Sequence, residues 1–284
     1  MRSSELASLA GVTVRTLRHY HQVGVLPEAE RGSNGYRDYT VHDLVRLLRI
    51  KHLAALGLPL ERMPAVLDTE AADHVPLLDE LEGAIDAEMA RLASQRDEGS
   101  EVWWQVRRRP VGAKHPDQVA LLASQRDLIR VLRANRSAPD LPPDLAPFVA
   151  LLATGAESST LARIDRDQSV LLAHLVGEAG MPQLVSAFEL LSRPGIREAA
   201  LALSHELESL ADDADDSVVD ALVDRYARWS APLVAELGPL FTAALSDEAA
   251  AERLLLSHSD GLLNAAQRSV FTRLAARFPA EQSG

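Results

Sequence analysis

Val14-Arg15-Thr16-Leu17-Arg18-His19-Tyr20 is the stretch on which the reading of this chain turns. Thr13 ahead of it carries a side-chain oxygen able to cap a helix, and Gly24 beyond it can end one. The spacing predicts a helix from Val14 to Val23, with Val14 and Leu17 facing inward. Upstream, Ser4 to Leu9 predicts a short helix with Leu6 and Leu9 on one side. Gly11 follows, where a tight turn can use positive φ. Two short helices on a glycine turn make the helix-turn-helix pattern, with Ala7, Gly11 and Leu17 as contact, turn and apolar anchor. Taken alone, this spacing occurs in many unrelated folds.

Downstream come Val25-Leu26-Pro27, a polar tip from Glu28 to Gly35, and Tyr36-Arg37-Asp38-Tyr39. Ser33-Asn34-Gly35 is a turn signal, so the segment predicts a two-stranded hairpin or wing. Such a ribbon must pack on the helices to persist. Thr40 can cap a third helix from Val41 to Leu56, with Leu44, Leu47, Leu48, Leu53 and Leu56 as its apolar positions. Gly57 ends it, and Pro59 starts a short fourth helix to about Leu67.

The charge follows the same division. The chain has 284 residues and a net charge of −12. Residues 1–62 carry nine basic and six acidic side chains, a net of +3, whereas the other 222 residues carry −15. That asymmetry fits a basic module that meets a polyanion, joined to an acidic module that does not; chance clustering on a solvated surface is the plain alternative. Tyr20, Tyr36 and Tyr39 fall among these basic residues. Each could touch a DNA backbone or serve as a core aromatic, and the interleaving with Arg15, Arg18 and Arg37 favours the backbone.

Length and composition predict about two folded domains. With no cysteine in the chain, disulfides, thiolate metal sites and a cysteine nucleophile are excluded. The longest charge-free run, Leu145 to Ala156, is too short to span a bilayer, and MRSSELASLAG has no apolar signal core, so a cytoplasmic protein is expected.

Val14 to Tyr20, Gly24-Val25-Leu26-Pro27, Gly35-Tyr36-Arg37-Asp38-Tyr39 and Leu56-Gly57-Leu58-Pro59-Leu60-Glu61 together resemble the MerR family of transcription regulators over about residues 2–67. The resemblance implies a winged helix-turn-helix, a long dimerisation helix and a variable effector domain. It implies a homodimer on double-stranded promoter DNA, bending and untwisting it so that RNA polymerase engages both promoter elements. By the same resemblance, Thr13, Arg15, Thr16, Arg18, His19 and Tyr20 would contact DNA from the second helix and its cap. Tyr36, Arg37 and Tyr39 would brace the wing. His19 stands where the family often has Tyr, His21 where it often has Glu, and Ala54 where a basic residue is common. His19 and His21 do not share a helix face, so no metal pair is read there.

Residues 72–106 read as one long helix. Leu78, Leu81, Ile85 and Leu92 follow an a/d spacing interrupted by Glu88 and Gln95, a short seam suited to a second copy. An intrachain core helix is the alternative. Trp103-Trp104 and Arg107-Arg108-Arg109 follow. The basic triplet is read as a solvated hinge in preference to a DNA contact, and Pro110 and Gly112 mark a boundary.

From about 116 to 278 the periodicity predicts six to eight helices and no strand. Breaks are expected at Pro139 to Pro143, Gly155, Gly180-Met181-Pro182, Pro194-Gly195, Asp212 to Asp216 and Gly238-Pro239. No catalytic or phosphate-binding motif occurs, and Asp212, Asp213, Asp215 and Asp216 read as a solvated turn. An all-helical effector domain is similar to the helical sensor of the family's TipA-like antibiotic-sensing branch.

The expected architecture is mainly α. Residues 1–70 form the DNA-binding domain, 71–109 the dimerisation helix and linker, and 110–284 an all-helical effector domain. No cofactor, metal, membrane association or enzymatic activity is expected. A small organic effector would meet Trp103, Trp104, Phe188, Tyr226, Trp229 and Phe241, although plain helix packing explains each aromatic singly. An enzymatic or purely assembling body on a DNA-binding head is the other reading.

Overall fold

The computed structural model describes residues 1–32, 35–68, 74–102, 115–134, 138–145, 147–148, 159–245 and 247–278, with residues 95–102, 115, 116 and 248 as backbone only. The head holds α1 (Ser3–Leu9), α2 (Val14–Gln22), α3 (Val41–Ala55), a 3-10 turn (Leu60–Arg62) and α4 (Met63–Leu67). The capping residues act as their types dictate. The Thr13 Oγ1 accepts from the Thr16 amide at 3.0 Å. Thr40 and Asp43 cap each other's backbone at the start of α3. Gly11 has φ 64°, the left-handed turn that joins α1 to α2.

The expected two-stranded wing is reduced to a hairpin with one antiparallel bridge, Arg31 to Arg37, and no strand among the described residues. The Gly32 amide donates to the Tyr36 carbonyl at 2.9 Å, and the Asp38 amide to the Glu30 carbonyl at 2.9 Å. The arms between Pro27 and the tip are too short and polar for a longer ladder. The Arg31 guanidinium closes the loop on the Gly35 carbonyl instead.

Next come α5 (Val75–Val102) and α6 (His115–Ala134). They pair antiparallel, because Arg126 meets Asp86, Arg130 meets Glu82, and Arg133 meets Asp79 and Glu82. The seam Leu78, Leu81, Ile85 and Leu92 is thereby covered within one chain, at 0%, 7%, 7% and 4% exposure. Leu78, Leu81 and Ile85 share a core with Ile129 and Leu132 of α6. The cover expected from a second copy is supplied by the chain folding back, with ion pairs setting the register.

The body continues with α7 (Thr160–Leu191), α8 (Ile196–Glu208), α9 (Asp216–Ala244), α10 (Glu248–Asp260) and α11 (Ala265–Ala275). Ser159 and Glu208 both cap the start of α7, Glu208 accepting from the Thr160 and Leu161 amides. One expected break is shifted and another is absent. α7 kinks at Gly177 (φ 61°, ψ −169°) and runs on through Pro182. Pro182 lies five residues past the kink, inside the resumed helix, where its ring leaves the Glu178 carbonyl without its usual i to i−4 donor. Gly180 serves packing rather than a turn, since a Cβ there would lie 2.6 Å from the Ala244 carbonyl oxygen. α9 likewise continues through Pro232 and Gly238-Pro239.

Two buried clusters result. One joins the head, α5, α6 and most of α7, and the other joins the start of α7 to α8, α9 and α11. α7 is long and apolar enough to cross a membrane by length and composition. Here that apolar surface supplies residues to both clusters.

Candidate nucleic-acid interface

On α2, Leu17 points into the core at 1% exposure, and this turns Arg15, Arg18 and His19 outward. The Thr13 and Thr16 hydroxyls lie 2.9 Å apart at the start of the helix, Thr13 exposed and Thr16 half-buried. Neither Arg15 nor Arg18 has an ion pair or hydrogen bond among the described residues. On the wing, Tyr36 is 61% exposed, and the Arg2 guanidinium lies 5.1 Å from its ring centroid. Thr13, Arg15, Arg18, His19 and Tyr36 therefore form the accessible part of the expected surface.

The rest of the expected contact set is turned inward or neutralised. Tyr20 and Tyr39 are 9% and 2% exposed and belong to the core, against the backbone-contact reading. Burial pushes the Tyr20 hydroxyl pKa up. Arg37 is paired with Glu28 at 2.6 Å, which raises the arginine's pKa and lowers the glutamate's. Both tyrosines face inward because α2 and the hairpin close on α3, a tertiary constraint that local residue type does not express.

His21 was the residue missed. Its Nδ1 lies 2.9 Å from the Leu26 carbonyl and its Nε2 2.9 Å from the Tyr39 hydroxyl, with the two rings stacked at 5.8 Å. A carbonyl only accepts, so Nδ1 donates, and in the neutral ring Nε2 accepts from the Tyr39 O–H. His21 thus ties α2 to both arms of the hairpin. The signal was its departure from the family's Glu. Tyr39→Phe strips this ring of its partner and is expected to lower stability by about 1 kcal/mol in urea titration. An unchanged midpoint would remove the tie.

The basic excess of the head is largely consumed by folding. Arg46 donates to the Val25 carbonyl and pairs with Asp68. Arg49 pairs with Asp140. Lys51 caps the Ala10 carbonyl, and Arg62 holds Glu80 through both guanidinium nitrogens.

The expected effector-lining aromatics are dispersed. Phe188 lies against Phe148 at 6.3 Å in the first cluster, where Phe241 also packs. Tyr226 and Trp229 sit in the second, T-shaped at 6.4 Å, and the Trp229 indole donates to the Ile196 carbonyl at 3.3 Å. Trp103 and Trp104 lie outside the described residues. Asp165, on α7, is an exposed residue by its overall surface, yet the protein packed around its carboxyl desolvates it and lifts its pKa from 3.8 to about 6. A raised carboxyl means the folded state holds the proton longer, so its unfavourable contribution grows as pH climbs from about 4 through 6. Asp165→Asn is expected to raise the melting temperature at pH 8 and leave it unchanged near pH 3.5. Equal melting at both pH values would refute the shift.

The head is thus a helix-turn-helix domain with an abbreviated wing. A family model, MerR HTH family regulatory protein, matches residues 1–70, so this N-terminal domain is a MerR-family domain. Among similar proteins is the HTH-type transcriptional activator TipA of Streptomyces coelicolor, 39% identical over 100 residues, covering 34% of this chain and 40% of that protein. The HTH-type transcriptional regulator SkgA of Caulobacter vibrioides is 40% identical over 93 residues, 33% of this chain and 34% of its own length. The mercuric resistance operon regulatory protein of Bacillus cereus is 36% identical over 78 residues, 28% of this chain and 59% of that one. The matched region therefore spans less than two thirds of these relatives. No solved structure matches the chain.

Proposed function

We propose that the chain is a sequence-specific transcription regulator that binds promoter duplex DNA through the outer face of α2 and responds to an organic effector in its helical body. The observation that carries this reading is the exposed pair Arg15 and Arg18, left unpaired while the other cations of α3 and its flanks are engaged. A folded domain that pairs Arg37, Arg46, Arg49 and Arg62 with acids and keeps Arg15 and Arg18 together on a helix-turn-helix face has the electrostatics of a phosphate or base-edge contact. The named functions of the matched relatives agree with it, and the acidic body makes no second claim on DNA. A homodimer is part of this proposal. With the α5 seam covered by α6, the exposed Leu121 and Val131 of α6, at 57% and 44%, are the apolar residues a second copy would meet. RNA polymerase is engaged indirectly, through the shape of the DNA.

The test is selection of duplexes from a random library by the full chain. The expected result is a two-fold symmetric site, bound far more tightly than bulk DNA. Recovery of no preferred duplex would overturn the reading. A thermal-shift screen of small organic molecules then addresses the effector. A compound that both stabilises the chain and alters transcription from the selected site is the expected result.

A further inference from the structure

Asp140 lies in the segment 138–145 between α6 and α7 and is fully buried, at 0% exposure. Both of its carboxylate oxygens are taken. Oδ2 accepts from Arg49 of α3, in the head, and Oδ1 accepts from Arg166 of α7, in the body, at 2.5 Å. Its backbone carbonyl lies 3.2 Å from Nδ1 of His52, again on α3. One residue of a connecting segment therefore holds the central helix of the head to the central helix of the body. Burial works against the charge, but Arg166 and Arg49 outweigh it and keep the carboxyl well below the usual carboxylate range.

Further bonds surround this joint. Arg49 also faces Asp167 of α7 at 3.7 Å. The other oxygen of Asp167 lies 3.2 Å from Nε2 of the buried His258 on α10, whose ring rests 4.7 Å from that of His42 on α3. From α7, His174 Nε2 donates to the Leu9 carbonyl at 2.5 Å, at the end of α1 beside the turn into α2. The two arginines and two aspartates balance in charge, and Asp140 is the carboxylate both arginines share, so withdrawing it leaves two largely buried guanidinium groups short of a counterion. Such a joint favours one arrangement of head on body and resists intermediate ones.

We propose that Asp140 is a latch through which the helical body sets the attitude of the DNA-reading head, so that regulation of the α2 contact runs through α3 and α7 of one chain. The regulatory part rests on the function proposed above; the latch itself does not. An effector that shifts segment 138–145 against α7 withdraws the carboxylate from Arg49 and frees the head. An effector that holds the segment in place fixes it.

The absence of cysteine makes the test clean. Val23→Cys and Val234→Cys, at exposed positions on head and body, carry nitroxide labels, and the distance between them is measured by pulsed electron resonance in the full chain without DNA. The parent is expected to give one narrow distance distribution. Asp140→Asn is expected to broaden or shift it while circular dichroism stays helical. The same substitution is expected to change affinity for the selected duplex at least about fivefold, the lower range of allosteric coupling, although Asp140 lies away from the α2 face. Should the Asn variant not fold, Arg166→Gln, which keeps the Arg49–Asp140 pair, is read by the same two measurements. A folded variant with the parent's distance distribution and affinity would overturn the latch. A parent that binds no preferred duplex sinks the function instead, and the distance measurement still decides the latch.

Discussion

Replacing Arg15 and Arg18 together by Ala is expected to abolish preferential binding to the selected duplex without loss of melting temperature. Both side chains stand free on α2, so the fold loses no partner. If both meet phosphates, the slope of log affinity against log salt flattens by about 0.9 for each contact, close to two in all. If one reads a base edge, discrimination at a single base pair falls by about 1–3 kcal/mol and the slope moves less. Arg62→Ala is the control, because that guanidinium is already committed to Glu80, and its slope should match the parent. Titrations at several salt concentrations separate these outcomes. Unchanged affinity throughout for the double variant would take α2 out of the interface.

Ile85→Asp is the second large effect. The side chain is 7% exposed and packs in the core that α5 shares with α6. A carboxylate there would replace apolar packing with a buried charge, and a cost on the order of 3 kcal/mol or more is expected. Urea denaturation should show the loss in the isolated chain at any protein concentration. Leu121→Asp, on the outer face of α6, should change stability by no more than about 0.5 kcal/mol and weaken self-association in sedimentation. An Ile85→Asp chain that melts like the parent yet sediments as a monomer would return the seam to an interface between copies.

These expectations differ from the sequence reading in an instructive way. α1 to α4 were legible nearly to the residue, since Thr13, Thr40, Gly11 and Pro59 act on their immediate neighbours. The facing of Tyr20 and Tyr39 was not, because it depends on how α3 closes over them. The heptad positions of α5 marked a buried face correctly, but spacing does not name what buries it. Gly180-Met181-Pro182 read as a break, but the kink falls three residues earlier, at Gly177, and Gly180 stays helical because only a residue without Cβ admits the end of α9. Asp140, inside a stretch read only as a breaker, pairs with Arg49 across 91 residues, and nothing local in Pro139 to Pro143 announces it. Within the candidate interface, Arg15, Arg18 and Tyr36 were legible because exposed cations and aromatics on a turn-bounded helix and hairpin need no partner to be accessible.

The commitment of the head's cations to internal pairs also governs encounter. Most of the molecule carries the −15 of the residues beyond 62, and a duplex approaching that side is repelled. Among the described residues the α2 face, with Arg2 and Arg31 beside it, offers the attraction, so a productive collision is one in which DNA arrives at the head. Added salt screens the attraction to Arg15 and Arg18 and the repulsion from the body together, since both act over a Debye length of about 8 Å at physiological ionic strength. The association rate should therefore change less with salt than the lifetime of the bound complex, and the chain should linger little on DNA that it does not recognise.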